Sequence, residues 1–233
     1  EGRGCMAGVL RVWDLLASIL SNTIWLATVV GYGAFTFSLG AAAVWGPYFL
    51  QRQYKMQLND ADLVFGAVAV VTGLLGTMTG GLLLDVVARR LQQDPMSASL
   101  LLSVCLVGLA WPCCLVAFYV SSYQVFIACM FVGQFLAFAA ISPINGVLLW
   151  CVSPDVRPLS MALSVVGIHL LGDVPSPVVV GAMLERIGDA KVVLQLVMGW
   201  LGWTLVFWVL GYWLSRRKEA QRKQELEEPL LSA

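Results

Sequence analysis

Long uncharged stretches separated by short polar clusters set the plan of the chain. A helix needs ~20 predominantly apolar residues to cross the hydrocarbon of a bilayer, so each charge-free window is measured against that length. The first runs from Leu15 to Gln51, and its core, Asn22–Phe49, is read as the first span. A polar loop over 51–62 follows, then a second span over Leu63–Val87, closed by Arg89 and Arg90. Asp94 and Asp155 enclose 60 uncharged positions, residues 95–154. That is too long for one span and right for two. The cluster Ser121-Ser122-Tyr123-Gln124 divides it into Met96–Val120 and Tyr123–Trp150. After a loop over 153–158 come a fifth span, Pro158–Leu184, and a sixth, Val192–Leu214. The expected fold is an all-α integral membrane protein: a six-transmembrane-helix bundle over 22–215, between a cytosolic segment, 1–21, and a disordered cytosolic tail, 216–233.

Small residues give two spans a face for close packing. These are Gly31, Gly33, Gly40 and Ala41–Ala43 in the first, and Gly66, Gly73, Gly76, Gly80 and Gly81 in the second. Prolines weaken the fourth and fifth. Pro143 frees the carbonyl of Ala139, with Ser142 and Asn145 beside it; Pro175 and Pro177 free those of Leu171 and Asp173. Just before that second break, His169 and Asp173 share one helical face. A charged Asp at mid-membrane costs ~2.5–3.5 kcal/mol on insertion scales, so Asp173 is expected to face other helices or a watery cavity. The pair reads either as a buried polar contact pinning two helices or as a proton or substrate relay with coupled titrations.

Composition agrees with the spans. The chain is 59% hydrophobic and 12% charged, against about 25% charged for soluble domains. Zero net charge gives no reason to expect a nucleic-acid partner. The six cysteines lie mostly in apolar runs without a CxxC pair, which reads as packing rather than a metal site; no cofactor is expected. We read the chain, which starts at Glu1, as a piece of a longer protein. Counting Lys and Arg by side, Arg3, Arg11, Arg89, Arg90, Arg157, Arg216, Arg217, Lys218, Arg222 and Lys223 share one face of the membrane, and Arg52, Lys55, Arg186 and Lys191 the other. Ten against four places both termini in the cytosol, where the basic start of the tail can meet anionic membrane lipids.

The stretch Gly81-x-x-x-Asp85-x-x-x-Arg89-Arg90 lies where a cytosolic turn between the second and third spans is expected. It resembles the signature loop of the major facilitator superfamily, with Val86 and Ala88 departing from the pattern. Gly81 would let two helix ends approach. Asp85 would meet the N-terminal end of the fifth span, or Arg157, and hold the cytosolic side shut. Residues 62–81, 142–165 and 169–189 look like the spinster branch of that superfamily, and 31–50 like the family's seventh helix. The resemblance covers roughly residues 12–215. It implies the C-terminal half of a major-facilitator fold, in which the first, second, fourth and fifth spans line a central cavity and the third and sixth face lipid.

Proline-broken spans near the midplane point to the same place. The cavity candidates are therefore Tyr32, Thr36, Ser38, Thr72, Ser142, Asn145, His169 and Asp173. The implied function is secondary active transport by alternating access, with lysolipids or sphingoid-type lipids as substrate. The implied partner is a missing N-terminal six-helix half or a second copy. A non-transporting scaffold that binds lipid or a partner is the alternative. An enzyme is not expected, because one histidine without HExxH, GxSxG or paired catalytic aspartates leaves no nucleophile–base pair. Plasma and endolysosomal membranes fit equally.

Overall fold

A computed structural model describes residues 12–91 and 94–231, with side chains for 12–90 and 94–225. It contains helices and turns and, among the described residues, no strand. The short helix α1 covers 12–20, and its Ile19 is fully buried. Then come α2 (Thr23–Tyr54), α3 (Leu58–Leu91), α4 (Pro95–Ala117), α5 (Tyr123–Ala139), α6 (Ile141–Trp150), a 3-10 turn (Pro154–Val156), α7 (Arg157–Leu171), α8 (Ser176–Ile187), α9 (Ala190–Trp200) and α10 (Gly202–Leu231). They make six helical segments long and apolar enough to cross a membrane. The fourth, fifth and sixth are each built from two helices end to end.

Local chemistry sets most boundaries. The Asn22 side chain accepts from the backbone N–H groups of Ile24 and Trp25 and caps α2. Asp94 caps α4 ahead of Pro95, and Asp189 caps α9. Lys55, at φ 60, turns the chain between α2 and α3, so the loop expected over 51–62 shrinks to three residues. Asp60 lies in the first turn of α3 and Arg89 and Arg90 in its last, signs that suit the helix dipole at each end. Consequently the whole Gly81–Arg90 stretch is helix, not the turn expected from its sequence. The tail is likewise helical through Leu231 rather than disordered; the carboxylate of Glu219 pairs with Arg216 and with Lys223 at helical spacing.

Breaks in the spans are seated on glycine. Pro143 leaves the Ala139 carbonyl without its usual donor, and α5 passes into α6 at Ala140. Gly80 of α3 lies directly against that carbonyl, and Gly76 against Phe135 and Ala139; a Cβ on Gly76 would stand 2.6 Å from the Phe135 oxygen. Between α7 and α8 the backbone turns at Gly172, and Val174 N–H reaches back to the His169 carbonyl at 3.2 Å. Pro177 frees the Asp173 carbonyl, which accepts instead from Ser176 Oγ at 3.2 Å. This break sits on Gly33 and Gly40 of α2: a Cβ on either would stand 2.8 Å from the Cβ of Leu171 or Asp173. The sixth segment breaks at Leu201 without a proline. There Trp111 Nε1 donates to the Met198 carbonyl at 2.9 Å.

α2 is the best-covered segment, with 61% of its apolar window buried. Around it lie two apolar cores. One gathers Tyr32, Phe35, Leu100, Ile144 and Trp208; the other gathers Phe49, Phe118, Phe126, Met130 and Val197. Trp208 stacks on Phe35 at 6.0 Å and donates through Nε1 to the Thr28 carbonyl at 3.2 Å. Gly31 makes room for it, since a Cβ there would come 2.5 Å from the indole. The tryptophans of the last segment thus divide: Trp208 is fully buried, whereas Trp200, Trp203 and Trp213 are about half exposed.

Gly80→Leu drives a side chain into the Ala139 carbonyl and should destabilise the protein by ~1–3 kcal/mol, the scale of overpacking. Gly199, which has nothing within 4 Å of a Cβ, should accept Ala within ~0.5 kcal/mol. Thermal unfolding of both variants in detergent checks the pair; equal melting temperatures would refute the seating of the break.

Candidate transport site

The sequence candidates separate into residues spent inside the bundle and residues left facing outward. Ser38 is buried and donates to the Val197 carbonyl of α9 at 2.9 Å. Thr72 is buried, donates to Val68 of its own helix at 2.6 Å, and lies 3.3 Å from Gln134 Oε1 on α5. Thr36 sits between the Gly33 carbonyl at 3.2 Å and the Ile168 carbonyl at 3.3 Å, against Gly172. These three hydroxyls satisfy backbone and amide groups at helix contacts. Tyr32 of α2 is buried, with its ring edge-on to Phe35 and Trp208, and Asn145 lies on α6. Ser142 lies at Gly81, where a Cβ would stand 3.3 Å from its Oγ.

His169 and Asp173 form the closest polar pair of the fifth segment. The ring Nδ1 lies 2.8 Å and 2.9 Å from the two carboxylate oxygens. His169 lies in the last turn of α7 and Asp173 in the turn after it, where the Val174 N–H on the His169 carbonyl keeps the two residues together. Their side chains are 53% and 38% exposed, so the pair is not the fully enclosed helix pin that one reading of the sequence expects. It lies on one of the two least covered segments. Only 28% of the apolar window of α7–α8 and 22% of that of α3 is buried. Outward-facing Leu63, Leu74, Met78 and Leu82 run along α3, and Leu170, Val174 and Val178 along α7–α8.

At the other polar motif the expected ion pair with Arg157 is not formed. Asp85 is exposed, and among the described residues it makes no ion pair with Arg157. Arg89 Nε donates to the Asp85 backbone carbonyl at 3.1 Å instead. The Arg157 Nε is buried without a partner. The reason is the packing of α3, which lies against α2, α4, α5 and α6, while α7 packs on α2 and α6.

Sequence reasoning missed three structural polar residues. Gln134 is 3% exposed and was legible as a lone amide in an apolar run. Trp45 donates through Nε1 to the Pro177 carbonyl at 3.2 Å and so holds the start of α8. Asn22 Nδ2 donates to the Cys151 carbonyl at 2.7 Å, tying α2 to the chain after α6.

Comparison with known proteins gives this geometry a family. A model of the Organic Anion Transporter Polypeptide (OATP) family matches residues 6–121 and 120–187. The chain is 35% identical over 223 residues to the probable sphingolipid transporter spinster homolog 2 of Arabidopsis thaliana, covering 95% of this chain and 44% of that protein. It is 37% identical over 193 residues to spinster homolog 3 of the same plant, covering 83% and 36%. The crystal structure of a bacterial homolog to human lysosomal transporter Spinster, inward-facing and unoccupied, superposes with a TM-score of 0.63 at 16% identity, over 88% of this chain and 50% of that one. The bundle is a six-helix half of the major-facilitator fold. The chain belongs to the Organic Anion Transporter Polypeptide family, among the spinster-like homologues. It spans about half the length of the curated relatives it matches, and it is a multi-pass membrane protein.

Burial pushes the Cys151 thiol, between the fourth and fifth segments, up to about 11. At pH 8 the native protein should therefore alkylate at Cys151 on the order of 100-fold more slowly than the unfolded chain, with the rate rising toward pH 11. Timed maleimide labelling followed by peptide mapping measures this; equal rates in native and unfolded protein would contradict it.

Proposed function

We propose that the chain is the C-terminal half of a secondary active transporter for lysolipids or sphingoid-type lipids. It works by alternating access against an N-terminal six-helix bundle, or against a second copy. One observation carries the reading: the exposed His169–Asp173 pair sits on a segment that the bundle leaves largely uncovered. An apolar face can meet lipid, but an exposed carboxylate in the hydrocarbon is costly. That face therefore turns toward protein or water. A cavity between two bundles supplies both, with mostly apolar walls and sparse polar points suited to an amphipathic lipid. The sphingolipid wording in the names of the plant relatives supports the substrate class.

Within that frame Tyr32, Asn145, His169 and Asp173 are the polar points of the pathway, and Thr36 steadies the break beside them. Histidine changes charge in the physiological range. The α2 surface seated against the break offers Gly33, Thr36 and Gly40, none of which titrates. Protonation of the pair would alter how the break is hydrated and bias one access state. Asp85 and Arg157 are apart in this conformation; their closure belongs to the cytosol-shut state. Both termini are cytosolic, from the ten-to-four basic asymmetry.

Four outcomes test this. In the two-bundle transporter, His169→Gln and Asp173→Asn should flatten the pH–rate profile of lipid transport; folded variants with the wild-type profile would make the pair structural. Asp85→Asn should slow turnover severalfold and shift the access equilibrium, and unchanged turnover would remove the gate. A cysteine placed within 51–57 should label from the non-cytosolic side, and labelling from the cytosol alone would invert the topology. Robust uptake by the isolated monomeric chain in liposomes would contradict the need for a second bundle.

A further inference from the structure

A row of hollows runs along the outer side of α2, apolar for most of its length and basic at one end. The largest, about 510 Å³, has Phe37 of α2 at its floor, Val179 and Met183 of α8 on one wall, and Leu196, Val197 and Trp200 of α9 on the other. Trp200 also borders a second hollow of about 310 Å³, which continues past Ala34 and Val30 toward α10. In the opposite direction Tyr48 lies eleven residues, about three turns, beyond Phe37 and so on the same side of α2. Tyr48 lines a cavity of about 350 Å³ with Arg52, Gln53 and Lys191. Neither His169 nor Asp173 lines any of these hollows.

Two cations and one carboxylate meet at the basic end. Arg52 is exposed, with its guanidinium 5.2 Å from the Tyr48 ring centre. Lys191 Nζ donates to the Tyr119 carbonyl at 3.1 Å. Asp189 lies in the same lining, but its carboxylate accepts from the backbone N–H of Lys191 at 2.8 Å and of Val192 at 3.4 Å, capping α9. Among the described residues neither Arg52 nor Lys191 has an ion-pair partner. Fifteen residues of helix separate Phe37 from Arg52, a rise of about 22 Å. One leaflet of hydrocarbon is about 15 Å, which leaves room for a headgroup at the Arg52 level.

From this match of length and charge we infer that the groove holds a membrane phospholipid with an anionic headgroup. Its phosphate lies at Arg52 and Lys191, and one acyl chain runs along Phe37, Met183 and Trp200. The site is on the outer flank of the bundle and is independent of what the protein transports. Tyr48 supplies the aromatic belt that the interface favours, and Arg52 presents a planar fork that suits a phosphate.

Native mass spectrometry of the full chain in detergent, titrated with phosphatidylglycerol or phosphatidylcholine of matched chains, tests the site. Phosphatidylglycerol should be retained at roughly tenfold lower concentration than phosphatidylcholine, from two interfacial charges. Arg52→Gln combined with Lys191→Gln should erase that preference, and Arg52→Lys with Lys191→Arg should keep most of it. Met183→Trp, which fills the groove, should lower retention of phosphatidylglycerol, and the glycerophosphoglycerol headgroup alone should not compete. Equal retention of the two lipids by the wild type, which needs no variant, would overturn the inference. Full competition by the headgroup alone would replace it with a simple anion site.

Discussion

Inside a bilayer a backbone carbonyl released by proline has no water to turn to, and the rest of this bundle depends on how that constraint is met. Two spans are broken by proline, and each break lies on a neighbouring helix stripped of side chains. Gly76 and Gly80 of α3 receive the α5–α6 junction, and Gly33 and Gly40 of α2 receive the α7–α8 junction. Polar side chains supply donors to carbonyls around the second break. Ser176 bonds the Asp173 carbonyl, Thr36 the Ile168 carbonyl, and Trp45 the Pro177 carbonyl. Close backbone approach, not apolar burial alone, fixes which helices are neighbours, as expected where lipid competes equally for apolar surface.

That seating explains why α2 is the most covered segment and why α3 and α7–α8 are the least. α2 must contact the α7–α8 break with its Gly33–Gly40 face while admitting Trp208 at Gly31. α3 spends its glycine face on α5 and α6 and is left with a run of outward-facing Leu and Met. The proposed pathway and the proposed lipid groove then occupy different surfaces, one around the His169–Asp173 pair and one along the α2–α8–α9 flank.

Much of this is legible in the chain. Six spans follow from charge-free windows, because Asp, Lys and Arg are costly in hydrocarbon and mark its edges. The proline breaks and the His169–Asp173 spacing also read directly. What escapes depends on three-dimensional neighbours. Ser38 and Thr72 look like cavity polar groups in one dimension, yet Ser38 bonds Val197, 159 positions away, and Thr72 bonds its own helix. The sequence suggests a turn at the Asp85 motif because Arg89 and Arg90 read as a span end. The helix simply continues through them, since basic residues are favourable in its last turn. The sixth segment has no proline to announce its break at Leu201.

The i, i+4 closure of His169 on Asp173 bears on biogenesis as well as on transport. His169 lies in the last turn of α7 and Asp173 in the turn that follows it, so the carboxylate meets its partner as soon as that local turn forms. A fifth span can thus present the insertion machinery with a hydrogen-bonded pair in place of an isolated carboxylate, before it has docked on the later helices of its own bundle.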